Sequence, residues 1–390
     1  MGLNMCKYTY LFLLLSCFNA IALQLPIMRV FLSILYALLL AALVAGEVLY
    51  VEYLVPLRDV VTAVGEVAIQ PLPRLRRARV IFGGDVMAHT PQITAAQTSD
   101  GYSFARSFEY VAPMLRRADL AIVNLETTLS RRPPYTGYPM FRSPSELAVE
   151  LRNVGVDAVA LANNHICDRG AAGLLSTIEV LDSLGIEYMG AYADSLARQP
   201  LYITAADLTL AMLNYTYGTN GLPTPRGMVV NRIDTVQMAA DIAAIDRSRA
   251  DVVCVVVHWG EEYQRRPNRA QRAVADFCRR QGVELIIGSH PHVAQPIECD
   301  SAARWATVYS LGNMVSNQQW RYSDGGLMVE VSLSRVGNAA PSMSVRVVPI
   351  WVLCPDYRII PPSVGDTLTM NAVARSRYKQ FMNDCQILLK

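Results

Sequence analysis

Five times along this 390-residue chain a short, β-branched apolar run ends in residues that carry a carboxylate, an amide or an imidazole. Val80-Ile81-Phe82 leads into Gly84-Asp85, Leu120-Ala121-Ile122-Val123 into Asn124-Leu125-Glu126, and Ala158-Val159-Ala160-Leu161 into Asn163-Asn164-His165. Further on, Val252 to Val257 leads into His258-Trp259-Gly260, and Val283 to Ile287 into Gly288-Ser289-His290-Pro291-His292. Such runs, with amphipathic segments between them, predict strands alternating with helices. The helices fall near Phe104 to Arg117, Pro144 to Asn153, Gly173 to Leu184, ahead of Asp251, and Pro267 to Gln281. Strands joined by helices run parallel, and a parallel sheet gathers its ligands outside the carboxyl ends of its strands. Five distant stretches are therefore expected to meet in one crevice. After Trp305 the pattern becomes strands and turns, at Ala306 to Leu311, Gly326 to Leu333 and Ser344 to Val352, so the fold class is α/β with a β-rich end.

The histidines point the same way. There are five, His89, His165, His258, His290 and His292, and each lies within a few residues of an expected strand end. A formal net charge of +2, with no Lys/Arg run interleaved with aromatics, gives no footprint for nucleic acid. The eight cysteines include no C-x-x-C pair, so neither a zinc ribbon nor a disulfide framework is indicated. Cys254, inside the Val252 to Val257 run, reads as a small buried hydrophobe.

The N-terminal part has a different composition. Tyr8 to Leu23 and Val30 to Gly46 are nearly uncharged and leucine-rich, each following a cation, Lys7 or Arg29. The second run stays apolar toward Leu54 and approaches the ~20 residues of a spanning helix. Residues 1–54 are expected to form a membrane anchor, 55–78 a linker, 79–352 the main domain and 353–390 an extension packed on it. A single span places the domain outside the cytoplasm. A cleaved secretory leader, a lipoprotein site at Cys17, or two spans that return the domain to the cytoplasm are the other readings this stretch leaves open. Arg74, Arg76, Arg77 and Arg79 favour the two-span reading or contact with lipid headgroups.

Each polar strand end also has an ordinary structural use. Asp85 can cap a following helix, Asn164-His165 can form a turn, and His258 beside Trp259 can be a core histidine. Glu126 ends a run expected to be buried, where a carboxylate without a cation is costly. In His290-Pro291-His292 the proline spacer is expected to hold both rings extended toward one side. Jointly these residues predict a metal site. Carboxylate, amide and imidazole donors suit Mn, Fe, Zn or Co rather than a thiolate cluster or an all-oxygen calcium cage. Six or more such donors exceed one tetrahedral ion and match two divalent ions roughly 3.5–4 Å apart, which activate a bridging hydroxide.

Gly84-Asp85-Val86-Met87, Asn124-Leu125-Glu126-Thr127, Ala162-Asn163-Asn164-His165 with Asp168 and Gly170, His258-Trp259-Gly260-Glu261-Glu262-Tyr263, Gly288-Ser289-His290-Pro291-His292 and Ser310-Leu311-Gly312-Asn313 resemble, in order and spacing, the signature of the CapA family of poly-gamma-glutamate capsule proteins. That family is similar to the calcineurin-like metallophosphoesterases, and the resemblance implies a four-layer α/β/β/α sandwich with a dimetal centre. It implies that Asp85, Glu126, Asn164, His258, His290 and His292 are metal ligands, with Glu126 bridging. His165 would be the general acid and Asp168 its orienting carboxylate. The sequence departs from the wider pattern twice. Asp-x-His is absent, since Val86-Met87 follow Asp85 and the first histidine is His89, a candidate further ligand; and the bridging position holds glutamate instead of aspartate.

Arg142 and Arg265, with Arg131, Arg132 and Arg266 nearby, are candidates to grip phosphates or polymeric carboxylates, with a solvated surface as the alternative. Tyr263 and Asn313 complete the candidate substrate contacts. The implied function is a membrane-anchored, dimetal-dependent hydrolase or transferase acting on an anionic capsular or cell-envelope polymer. The alternatives are a phosphodiesterase or phosphatase, and a non-catalytic polymer-binding component of a capsule synthase.

Overall fold

The computed structural model describes residues 30, 31, 33–38, 73–300 and 304–389. Apart from 30, 31 and 33–38, which are helical, the expected anchor lies outside the described residues, as does the linker up to residue 72. Among the described residues no helix is long and apolar enough to cross a membrane. The chain divides into two units, Met1–Leu72 and Pro73–Lys390, and the second contains every element named below.

The second unit is built on β1 (Leu75–Val86), which starts before the expected boundary at Arg79. Its first half alternates exposed Arg77 and Arg79 with buried Ala78 and Val80, the period of a half-buried strand that charged residues partly disguise. β2 (Leu120–Leu125), β3 (Ala158–Ala160) and β4 (Glu187–Met189) follow it in parallel. The chain then builds a second sheet from β5 (Leu201–Ala205), β6 (Leu208–Thr216), β7 (Val252–His258), β8 (Leu285–Ser289), β9 (Ile297–Asp300) and β10 (Trp305–Val308), in the order β5-β6-β7-β8-β10-β9. It returns to the first sheet through β11 (Asn313–Val315), parallel to the end of β1, and through antiparallel β12 (Gly325–Val336), β13 (Ser342–Leu353) and β14 (Arg358–Ile360). Of the β-rich end expected after Trp305, Ala306 to Leu311 begins on β10 of the second sheet, and the later strands form the second half of the first sheet.

Side-chain alternation along the strands creates three apolar layers. Val80, Phe82 and Ile122 face Leu210, Met212, Cys254, Val256 and Ile287 between the sheets. Ile81, Val123 and Val159 point outward, against α1 (Glu146–Asn153) and α2 (Gly170–Leu184) through Leu147, Leu151, Leu174 and Leu181. Leu213, Val255, Val257 and Ile286 pack against α3 (Thr235–Ala243) and α4 (Arg269–Arg280) through Met238, Ile242, Ala275 and Cys278. Two sheets lie face to face, each covered outside by helices, which is the α/β class expected. Cys254 is fully buried in the central layer, as its sequence context predicts. α5 (Ala372–Leu388) packs beside β13, with Tyr378, Phe381 and Cys385 buried.

Several elements differ from expectation, and β4, β5, β9 and β14 were not among those expected. The helix expected over Phe104 to Arg117 is two short pieces, Ala105–Phe108 and Ala112–Leu115, with Pro113 at the start of the second, where its missing N–H breaks no helical bond. β6 was not anticipated at all, although it is central to the second sheet.

Candidate metal centre

The parallel strands of both sheets end at a common edge, and the polar residues that follow them converge there. Two glycines permit this crowding. A Cβ on Gly84 would lie 1.9 Å from the Gly312 carbonyl oxygen, and one on Gly288 would lie 2.0 Å from that of Tyr309. The motif positions before Asp85 and before Ser289-His290 therefore need glycine because another backbone passes through the space of the side chain. The Asp85 N–H donates to that same Gly312 carbonyl at 3.0 Å.

Asp85, Glu126, Asn164, His258, His290 and His292 are all buried. Ligand atoms of Glu126, His290 and His292 lie within 4.8 Å of one another, and so do those of Asp85, Glu126 and His258. Glu126 belongs to both groups: its Oε1 is 3.6 Å from His258 Nε2 and 3.8 Å from His292 Nε2. Asn164 joins through its Oδ1, 2.7 Å from His258 Nε2. His292 Nδ1 faces Asp85 Oδ2 at 3.0 Å and Asn313 Oδ1 at 3.1 Å. Both are acceptors, so that nitrogen carries the hydrogen and Nε2 keeps its lone pair toward Glu126.

The expected extended geometry of His290-Pro291-His292 is not what holds the rings together. His290 and His292 have φ of 98° and 57°, in the left-handed region that costs non-glycine residues of order 1–3 kcal/mol each. The rings nonetheless sit 5.9 Å apart, because the turn after β8, not an extended strand, presents both to the centre.

Burial sets the electrostatics. Glu126 is held well above the usual carboxylate range, first by burial and then by Asp85 and Glu262. His258 is pushed well below the usual imidazole value by burial, with His290 and His292 adding to it, and His290 is pushed down to about 3 by burial and then His292. Neutral imidazole is the form that binds metal. Glu126 Oε1 and His290 Nδ1 are buried without any hydrogen-bond partner. Unpartnered donors and acceptors are rare inside proteins, and a cation at this point would satisfy the carboxylate and the imidazole together. The donor set fits a pair of divalent ions.

Beside the cluster, His165 Nδ1 lies 2.8 Å from Asp168 Oδ2, which also accepts from the Phe141 N–H at 2.7 Å. The Phe141 ring stands edge-on to His165 at 4.7 Å. The carboxylate fixes Nδ1 as the protonated nitrogen and leaves Nε2 as the nitrogen available for proton transfer.

The remaining candidates separate. Tyr263 lies by the centre, its ring 6.1 Å from that of His292. His89 stands outside both donor groups; its Nδ1 is 3.1 Å from Gln92 Oε1 and accepts from the Asn317 N–H at 3.3 Å, because the residue caps the short helix Thr90–Ala95. Asn313 is a positioning residue rather than a substrate contact, fully buried between His292, Gln318 and the Ser323 carbonyl. Arg265 donates to the Asp384 carbonyl at 2.8 Å and lies over the Tyr322 ring, so it joins α5 to the body instead of reaching the cleft. Arg142 donates to Ser130 Oγ at 3.0 Å.

Three contributors were missed. Asn124 Nδ2 is 2.8 Å from Asp85 Oδ1, 3.3 Å from Glu126 Oε2 and 3.3 Å from His258 Nδ1, and so ties the carboxylates together. Asn163 donates to the Leu125 carbonyl and accepts from the His165 N–H, which explains the tandem asparagines. Tyr217 lies parallel to His258 and 4.4 Å from His290.

Residues 79–318 match the profile of the family described as "Bacterial capsule synthesis protein PGA_cap". The chain is 28% identical over 269 residues to the PGA biosynthesis protein CapA of Bacillus subtilis, covering 66% of this chain and 68% of that one. It is 27% identical over 271 residues to the capsule biosynthesis protein CapA of Bacillus anthracis, covering 66% and 64%. A solved phosphatase from Mycoplasma pneumoniae aligns with 73% of this chain and 97% of its own at a TM-score of 0.47 and 15% identity.

Proposed function

Because the chain belongs to the bacterial capsule synthesis family PGA_cap, we propose that its cluster of buried donors is the working centre of a dimetal-dependent hydrolase or transferase for a capsular or cell-envelope polymer of the poly-gamma-glutamate type. The observation that carries this reading is the Glu126 carboxylate, shared by two donor groups and unpartnered at Oε1. Glu126, His290 and His292 would hold one ion, and Asp85, Glu126 and His258, with Asn164 beside His258, the other. When bound, such ions polarise the bond to be cleaved and lower the pKa of water from ~15.7 toward ~7.

The chain's own residues supply the rest. Asn124 fixes the carboxylate geometry through its amide. In its doubly protonated form His165 donates from Nε2 to a leaving group, while Asp168 holds Nδ1 and stabilises the imidazolium. Burial of every ligand keeps bulk water from the donors. The apolar runs within residues 1–54 support a single-pass membrane anchor with this centre on the extracytoplasmic side, where an envelope polymer is met. Turnover of a generic phosphodiester and of poly-gamma-glutamate by purified protein, with and without Mn²⁺ or Zn²⁺, tests the proposal. Metal-dependent turnover abolished by His165→Ala is the expected result, and a metal-replete protein inert toward both substrates contradicts it.

A further inference from the structure

Among the described residues from Pro73 onward, four aromatic side chains are exposed: Tyr138, Tyr217, Tyr263 and Trp320. Three of them, Tyr217, Tyr263 and Trp320, gather at the candidate metal centre. Tyr217 covers His258 and His290, Tyr263 lies beside His292, and Trp320 is 5.1 Å from Tyr263. Scattered exposed hydrophobics are ordinary, whereas a group collected at one site marks a contact surface.

Trp320 is 63% exposed, yet the chain around it is fixed. Asn317 Oδ1 accepts from Tyr357 Oη at 2.6 Å, Gln318 Oε1 from Asn313 Nδ2 at 2.8 Å, and the Gln319 carbonyl from Arg377 Nη2 at 2.7 Å. Arg321 grips Asp384 at 3.0 and 2.9 Å, and the Trp320 carbonyl accepts from the Ser323 N–H at 3.1 Å. Tyr263 is held as firmly. Its φ is 64°, its N–H donates to the Pro291 carbonyl at 2.8 Å, and its hydroxyl accepts from Gln318 Nε2 at 3.2 Å. The two rings meet at 76°, a rigid apolar corner ordered before any ligand arrives.

Charge selects the occupant. Glu261 and Glu262 adjoin the corner in sequence, and Glu262 is close enough to raise Glu126. Arg265 is turned away onto Tyr322 and Asp384, and Arg321 is neutralised by Asp384. A carboxylate placed here meets the like charge of Glu261 and Glu262, and the guanidinium groups of Arg265 and Arg321 are engaged elsewhere. Rings at 76° offer one broad face and one edge, whereas a flat base gains most between parallel faces. A pyranose, with an apolar face of C–H groups and a rim of hydroxyls, matches the corner, with Gln318, Glu262 and the Tyr263 hydroxyl at hand for its rim.

We infer that Tyr263 and Trp320 form a subsite for a neutral saccharide ring next to the His292 side of the metal centre. This rests on the envelope-polymer reading and narrows it from poly-gamma-glutamate to a polymer that carries sugar beside the metal-bound group. Isothermal titration of the full chain with chitotetraose, a poly-gamma-glutamate decamer and adenosine tests it, with metal content measured on every sample. Expected are chitotetraose binding by the wild type, roughly tenfold weaker binding by Trp320→Ala, recovery in Trp320→Phe, and unaltered metal content throughout. Absence of saccharide binding, equal binding by Trp320→Ala, or a Trp320-dependent affinity for the decamer or adenosine instead overturns the subsite. Failure of the hydrolase reading would show separately, as missing metal or turnover, whatever the sugar does.

Discussion

The Asp85 carboxylate lies 3.0 Å from His292 Nδ1, although 207 residues separate them. The bond sets the tautomer of a proposed ligand from the far side of its ring. Asp85→Asn, which can present an amide N–H to Nδ1 and removes the charge of a proposed ligand, should weaken metal binding by at least about 10–100-fold, and Asp85→Ala should weaken it further. Competition against a chromogenic chelator measures this, and equal affinity in all three proteins contradicts the assignment.

His165 and Asp168 sit next to the donors but outside both donor groups. His165→Ala is expected to lower turnover by roughly 10²–10⁴ while metal content stays at the wild-type level. Asp168→Asn should show a smaller loss with an altered pH profile, since an amide can no longer stabilise the imidazolium. A parallel loss of metal and activity in His165→Ala would instead make this histidine a ligand.

The buried groups make metal stabilisation pH-dependent. In metal-free protein Glu126 is held above its usual 4.5, so its contribution is fully present below that pH and is lost as pH rises through the raised value. His290 moves from 6.5 to about 3, so its contribution is present above 6.5 and is lost as pH falls toward 3. Cation binding relieves the first of these losses by pairing the ionised carboxylate. The rise in Tm on adding Zn²⁺ or Mn²⁺ should therefore be larger at pH 8 than at pH 5, as thermal denaturation at the two pH values would reveal. A rise that does not change with pH argues against a metal at Glu126.

Gly84→Ala forces a Cβ into the Gly312 carbonyl. Overpacking of this kind costs typically 1–3 kcal/mol, and the displaced Asp85 should carry metal affinity with it. Denaturant unfolding and metal analysis of the variant check both. Gly170→Ala, where no atom lies within 4 Å of the new methyl group, is the comparison for φ strain alone.

The residues that converge were legible in the sequence because each follows a short, mostly apolar run that reads as a strand, a signal that survives without tertiary context. β6 was not, since Leu208-Thr209-Leu210-Ala211-Met212-Leu213 is rich in good helix formers and becomes a strand only by insertion beside β7. With β6 unread, Tyr217 at its end could not be placed at the site. Arg265 and Asn313 were misjudged for another reason: position next to a motif does not say which way a side chain turns, and α5 and the Ser323 carbonyl claim them. Trp320 lies just beyond the last quoted motif, and its role depends on contacts from Asn313, Arg377 and Asp384 that no local pattern reveals.

The most direct measurement is the metal content of the purified chain by inductively coupled plasma mass spectrometry, for the wild type and for Glu126→Ala. About two divalent ions per chain in the wild type, and near-complete loss of both in a Glu126→Ala protein that still folds by circular dichroism, is the predicted result. A correctly folded wild type that stays metal-free after incubation with Mn²⁺, Fe²⁺, Co²⁺ and Zn²⁺ would contradict the account.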